Sequence, residues 1–221
     1  WWIERVRRIF ELVDIVRIDH FRGFAGYWEI PASEPNAIRG RWLPGPGTAL
    51  FEAIEAALGE LPIIAEDLGI ITPDVDALRH AFSLPGMRIL QFAFSEDGDN
   101  TSAYLPHNFE RNTVVYTGTH DNTTTQGWWQ ESTSALRQQV LDYLGAENDH
   151  DIHWQLIRAA SASVADMAIV PFQDVLGLGG EHRMNLPGHD QGYWEWRFDW
   201  RQVQPLHAER LARLGQLYRR S

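Results

Sequence analysis

Five short apolar runs, each with an acid a few residues beyond it and helical spacing in between, constrain this chain more than any other feature. The runs are Leu12–Ile18, Leu61–Ala65, Arg88–Phe94, Val114–Thr117 and Ala168–Phe172. Apolar runs of this length without polar alternation read as strands buried on both faces, the kind found in parallel sheets. Helical patterns fill most of the intervals. Ile3, Val6, Ile9, Phe10 and Val13 recur at spacings of three and four, Ala49–Leu58 stops at Gly59, and Pro73 stands at N1 of a helix over Asp74–Phe82. Ala135–Leu144 stops at Gly145, Ile152–Ala165 leads into the fifth run, and Leu206–Tyr218 has the pattern of a terminal amphipathic helix. Such alternation predicts parallel βα units, in a barrel or in a doubly wound sheet.

The residues just beyond each run separate these two folds. The strand ends read Arg17-Ile18-Asp19-His20, Glu66-Asp67, Glu96-Asp97, His120-Asp121-Asn122 and Gln173-Asp174. A barrel gathers its active site from strand C-termini around the ring, whereas a doubly wound nucleotide fold marks its first turn with glycines, and no such turn occurs here. Strand starts fall about 39 residues apart, so eight units would take roughly 310 residues. The expectation is an α/β fold: about five βα units forming the C-terminal part of a (β/α)8 TIM-type barrel. Residues 1–221 then belong to a single catalytic barrel domain whose N-terminal strands lie outside this sequence, consistent with an opening at Trp1 partway along a helix.

Composition removes several chemistries. All 19 basic side chains are Arg, which excludes Schiff-base lysines and the Lys-containing phosphate loop, and the absence of Cys excludes thiol nucleophiles, thiolate metal sites and disulfides. A chain with no disulfide need suits a reducing cytosol, so a cytoplasmic location is expected. A formal charge of −11 argues against a nucleic-acid partner, and no apolar run reaches transmembrane length. Ten Trp is a high count, and Trp128, Trp129, Trp194, Trp196 and Trp200 stand among polar residues, as in clefts that bind sugar rings; core or rim packing is the competing explanation for each.

Asp19 lies two residues after Arg17, on the same face of an extended strand, where a guanidinium favours the ionised carboxylate that a nucleophile needs. A structural Arg–Asp pair would have the same spacing. Glu66 closes an apolar run with Asp67 beside it, so one carboxyl can face the barrel mouth, in surroundings that suit a general acid, while the other turns away; either acid could instead cap the turn. His120 and Asp121 add an imidazole and a third carboxylate. Asp19, His20, Glu66, His120 and Asp121 could ligate a divalent ion in a barrel hydrolase, yet the chain has no His-x-His and no His-Glu-x-x-His. Three carboxylates with an Arg fit glycosidic chemistry better.

Several blocks, in order, resemble the amylomaltase family of 4-α-glucanotransferases, or disproportionating enzymes. They are RIDHFRGFAGYWEIPA at Arg17–Ala32, GRWLPGPG at Gly40–Gly47, IIAEDLGIITPDVDALR at Ile63–Arg79, LPGMRILQFAF at Leu84–Phe94, YTGTHDNTT at Tyr116–Thr124 and QDVLGLGGEHRMNLPG at Gln173–Gly188. The resemblance implies a retaining α-1,4-glucan transferase on an α-amylase-like barrel, with Asp19 as nucleophile, Glu66 as acid/base and Asp121 as transition-state stabiliser. It further implies that Arg17, His120 and Asn185 bind sugar around the cleavage point and that Phe92 lines the same pocket. The implied partners are α-1,4-glucans (maltodextrins), with glucose as an acceptor and no nucleic acid or membrane. No metal or other cofactor is expected. A noncatalytic glucan-binding domain remains the alternative of another class. One departure stands out: Gly192-Tyr193-Trp194-Glu195-Trp196-Arg197 has Tyr193 where the family usually carries Asn.

Overall fold

The computed structural model describes residues 1–220. Its contacts divide the chain into two compact units, Trp1–Met87 and a second that begins at Arg88.

In the first unit, helix α1 (Trp2–Phe10) leads through an exposed segment into strand β1 (Val16–Ile18). The strand is thus shorter than its apolar run, because Leu12, Val13 and Ile15 are exposed ahead of the pairing segment. Further along, β2 (Gly26–Glu29) and β3 (Arg41–Pro44) form an antiparallel hairpin with Trp28 opposite Trp42. This stretch is not among the five apolar runs of the sequence. Its strands are short and Pro-flanked, and they are held by the edge-to-face Trp28–Trp42 pair at 5.6 Å and by Arg41 donating to Glu29 at 2.6 Å.

Helix α2 (Gly47–Leu58) ends at Gly59, strand β4 (Ile63–Ala65) is buried throughout, and α3 (Pro73–Ala81) starts with Pro73 in its first turn, as expected. Asp74 and Asp76 in the first turn of α3 and Arg79 and His80 in its last complement the helix dipole. Strand β1 pairs in parallel with β4, Val16 to Ile63 and Ile18 to Ala65. Phe21, Phe51, Ile63, Ala65, Val75, Leu78 and Leu84 form the core behind them. Truncating Phe51 to Ala in this cluster should cost about 3–5 kcal/mol.

Strand β5 (Gly86–Ile89) carries the chain into the second unit, where the sheet order is β5, β6 (Thr113–Tyr116), β7 (Met167–Ile169), with β6 and β7 parallel. Helices α4 (Thr125–Glu131), α5 (Ser134–Leu144) and α6 (Ile152–Ala162) cover it. Two short-range devices set their ends. Thr124 and Thr133 accept the N–H of Gly127 and Leu136 at the starts of α4 and α5, and Gly145 closes α5 at φ 63°, a left-handed value that favours glycine. The fifth apolar run yields a strand only to Ile169, since Phe172 already opens α7 (Phe172–Val175); helix α8 (Pro205–Tyr218) ends the described chain.

Leu90, Phe94, Val115, Trp129, Val140, Ile152, Leu156 and Ala160 form the core of this unit. Trp128 packs against that core, and the indole of Trp129 is buried in it with its N–H on Asp149 at 3.0 Å. Core packing, the competing explanation, thus holds for Trp129, while Trp128 is half-buried against the same core.

Candidate active site

In the first unit the parallel register continues one step past the strands. The Glu66 N–H donates to the Ile18 carbonyl at 3.0 Å, directly after the Ile18–Ala65 pair, so Asp19 and Glu66 stand side by side at the C-terminal ends of β1 and β4. His20 then turns the chain in the left-handed region at φ 50°, and its N–H donates to Glu66 Oε2 at 2.6 Å while the Leu68 N–H reaches Oε1 at 3.1 Å. Both Glu66 oxygens are thereby fixed by backbone. A carboxylate offers about four lone-pair positions, which leaves each oxygen one further direction in which to hold a proton. Asp67 does turn away: it is 2 % exposed, accepts the Met87 N–H at 2.6 Å and lies 3.5 Å from the Arg79 guanidinium.

The Asp19 side chain is 74 % exposed and its Oδ1 accepts from Arg17 Nη2 at 2.8 Å, while Arg17 Nε points at the Met87 sulfur at 3.2 Å. The Arg–Asp spacing therefore makes a direct pair, and the guanidinium that makes it is itself held by a neighbouring strand. Gly86 lies against the Asp67 carboxylate so closely that a Cβ would collide with it. Glycine at that position is what allows β5 to pass this close.

In the second unit, residues 117–124 form the loop between β6 and α4. Thr119 and Asn122 close its turn, with the Thr119 N–H and hydroxyl both donating to Asn122 Oδ1 at 2.9 Å. Within it His120 Nε2 lies 3.4 Å from Asp121 Oδ2, and Asn185 donates its side-chain amide to Asp121 Oδ1 at 2.7 Å. The Asn185 N–H also donates to the His120 carbonyl at 3.0 Å. Arg183, which no sequence pattern singles out, donates to the Asp121 carbonyl at 3.0 Å and to the Asn185 carbonyl at 2.7 Å. The structure thus brings His120, Asp121 and Asn185 together in one hydrogen-bonded group. Phe92 sits in the turn after β5, 47 % exposed, with its ring edge-to-face on Tyr104 at 5.7 Å.

Two other residues act on this loop. Asp174, only 1 % exposed, accepts the Thr117 hydroxyl at 2.5 Å, the Thr125 hydroxyl at 2.7 Å and the Thr125 N–H at 2.7 Å, so one carboxylate clamps both ends. Burial raises its pKa above the ordinary carboxylate value, and the three hydrogen bonds oppose that rise. In the sequence it is legible only as one more strand-end acid. The indole of Trp194 meets the His120 ring at a centroid distance of 5.1 Å, and the Trp194 N–H donates to the Met184 carbonyl at 2.8 Å. Its φ of 67° is left-handed, a conformation that costs a bulky residue about 1–3 kcal/mol. The remaining strand-end acids serve locally: Glu96 accepts the Thr133 hydroxyl and Asp97 the Ser95 hydroxyl. Among the described residues no group of three or more His, Asp or Glu side chains is arranged to hold a metal ion, and no helix is long and apolar enough to cross a membrane.

The chain is similar to known proteins over its whole length. It is 51 % identical to a 4-alpha-glucanotransferase of Synechocystis across 100 % of this chain and 44 % of the relative, and 47 % identical to one of Thermus thermophilus across 98 % of this chain and 44 % of the relative. Among solved structures, the amylomaltase of Streptococcus agalactiae in complex with acarbose superposes with a TM-score of 0.95 at 36 % identity, covering 99 % of this chain and 44 % of that one. The chain spans about 44 % of the length of these relatives. The βα units described above are those of part of an α/β barrel of the amylase type. Because the family model described as 4-alpha-glucanotransferase matches residues 1–203, the chain belongs to that family.

Proposed function

We propose that this chain carries the catalytic residues of a retaining α-1,4-glucan transferase, which moves a glucan segment from a donor maltodextrin to the 4-hydroxyl of glucose or another maltodextrin. The observation that carries this reading is the pairing of Asp19 with Glu66 at the ends of adjacent parallel strands, with the Glu66 carboxylate tied to the His20 N–H. Retaining chemistry needs two carboxyl groups about 5–5.5 Å apart, and neighbouring strands lie about 4.8 Å apart. The backbone register alone supports that spacing.

In the mechanism, protonated Glu66 gives its proton to the glycosidic oxygen as Asp19 attacks the anomeric carbon, so that the C–O bond to the leaving chain breaks as the bond to Asp19 forms. The glycosyl-enzyme has the inverted, β configuration. Glu66, now a carboxylate, takes the proton of the acceptor 4-hydroxyl, whose oxygen displaces Asp19 and restores the α bond. The family resemblance gives Asp121 the role of stabilising the positive charge that develops at the ring in both steps. Asn185, bonded to Asp121 Oδ1, holds it for that role, and Asn185, His120 beside Oδ2 and Arg17 beside Asp19 offer donors to sugar hydroxyls. Phe92 supplies an apolar wall. Water in place of the acceptor gives hydrolysis.

The acarbose bound to the streptococcal relative supports an α-glucan ligand for this chain as well. Neither the −11 charge nor the apolar pattern favours nucleic acid or membrane as a partner, and the absence of Cys favours a cytoplasmic setting. The test is to incubate the full-length protein with maltotriose and follow glucose and longer maltodextrins. Both products should form, and both should vanish in Asp19→Asn and Glu66→Gln.

A further inference from the structure

We propose that Trp194 is a further substrate-binding residue, a stacking platform for one glucose ring of the α-1,4-glucan held by the Asp121 group; this rests on the glucan-transferase reading above. Three observations converge on it. The first is backbone: the chain accepts a left-handed φ of 67° at a bulky residue, shortly after Gly192 at φ 79° has already turned it. Strained conformations of this kind persist where surrounding structure imposes them, and they concentrate at ligand sites.

The second is what imposes it. The Trp194 N–H is bonded to the Met184 carbonyl, in the segment whose Arg183 and Asn185 hold Asp121, so the strain brings the indole over the same loop. The third is exposure: one region of the ring meets His120 at 5.1 Å, yet Trp194 remains 62 % exposed. A purely structural turn here would be better served by glycine. An exposed aromatic face beside hydrogen-bonding side chains matches a pyranose ring, whose axial C–H groups pack on the indole while its hydroxyls reach polar partners. Contact with His120 also restrains an imidazole that lies 3.4 Å from Asp121 Oδ2.

The test uses the full-length protein. In a Glu66→Gln background that stops turnover, maltoheptaose binding is measured by calorimetry with and without Trp194→Ala, Trp194→Phe or Trp194→Gly. Ala should weaken Kd about tenfold and Phe should recover most of the loss, as expected of a lost stacking contact. Gly should weaken Kd as Ala does but show the higher melting temperature of the two, since glycine adopts φ 67° without strain. In the Glu66 enzyme, Trp194→Ala should raise KM for maltotriose about tenfold while lowering kcat less than threefold. Unchanged Kd in Trp194→Ala overturns the proposal, and so does Trp194→Gly binding normally while melting lower than Trp194→Ala. Absence of disproportionation by the unsubstituted protein would instead defeat the transferase reading, and the calorimetric result would still decide whether Trp194 binds glucan.

Discussion

The side-chain amide of Asn185 donates to Oδ1 of Asp121 at 2.7 Å across 64 residues of sequence. With the Asn185 N–H on the His120 carbonyl, this bond makes a late loop the orienting partner of an earlier strand end. A hydrogen bond to a charged group contributes about 1.5–3 kcal/mol. Asn185→Ala should therefore lower kcat/KM for maltotriose disproportionation roughly 10- to 150-fold in the full-length protein, while the melting temperature changes little because Asp121 is exposed. A loss below threefold would remove Asn185 from the site.

Asp174 gives a pH-dependent prediction. Burial raises its native pKa above the unfolded value of 3.8, so its favourable contribution is complete below that value and is lost as pH rises through the native one. Asp174→Asn stays neutral throughout. The variant should melt below the unsubstituted protein near pH 4.5, and the gap should narrow toward pH 8. A gap that widens with pH would mean that the three hydrogen bonds outweigh desolvation.

His153 behaves in the opposite sense. It is buried and accepts from Gln126 at Nδ1, and burial lowers its pKa below 6.5, against the pull of Asp151. Stability linked to it is present above pH 6.5 and is lost as pH falls from there through the lower native value. His153→Gln should flatten the decline in melting temperature between pH 7.5 and 5.5. Parallel declines in the two proteins would show that another group titrates.

The proposed chemistry routes no step through a metal ion. Prolonged EDTA treatment of the full-length protein should leave maltotriose disproportionation unchanged. Loss of activity that zinc restores would support the barrel-hydrolase alternative.

Much of this architecture is legible in the sequence because parallel strands buried on both faces leave uninterrupted apolar runs, as at Ile63–Ala65, and because Pro73 and Gly145 mark helix ends by backbone geometry alone. The Arg17–Asp19 pair is readable from alternation along a strand. The Trp28–Trp42 hairpin is not, since its strands are short and its stability comes from cross-strand contacts that no local pattern records. The roles of Arg183 and Asp174 are hidden for a related reason. Each acts on a loop more than 40 residues away in sequence, and only folding shows which carboxylate faces substrate and which clamps a threonine. Trp129 lies among polar residues in sequence yet belongs to the core, because α4 turns it inward, with Trp128 half-buried beside it.

Trapping the covalent intermediate tests the assignment of Asp19 and Glu66 most directly. An α-maltosyl fluoride has a leaving group that needs no protonation, so the full-length Glu66→Gln protein should still form the glycosyl-enzyme but discharge it slowly for want of a base. Peptide mass spectrometry after a short incubation should find one maltosyl adduct, on the peptide containing Asp19, and Asp19→Asn should abolish it. Fluoride release with no adduct, or an adduct on a different carboxylate, would contradict the assignment of Asp19 as nucleophile and Glu66 as acid/base.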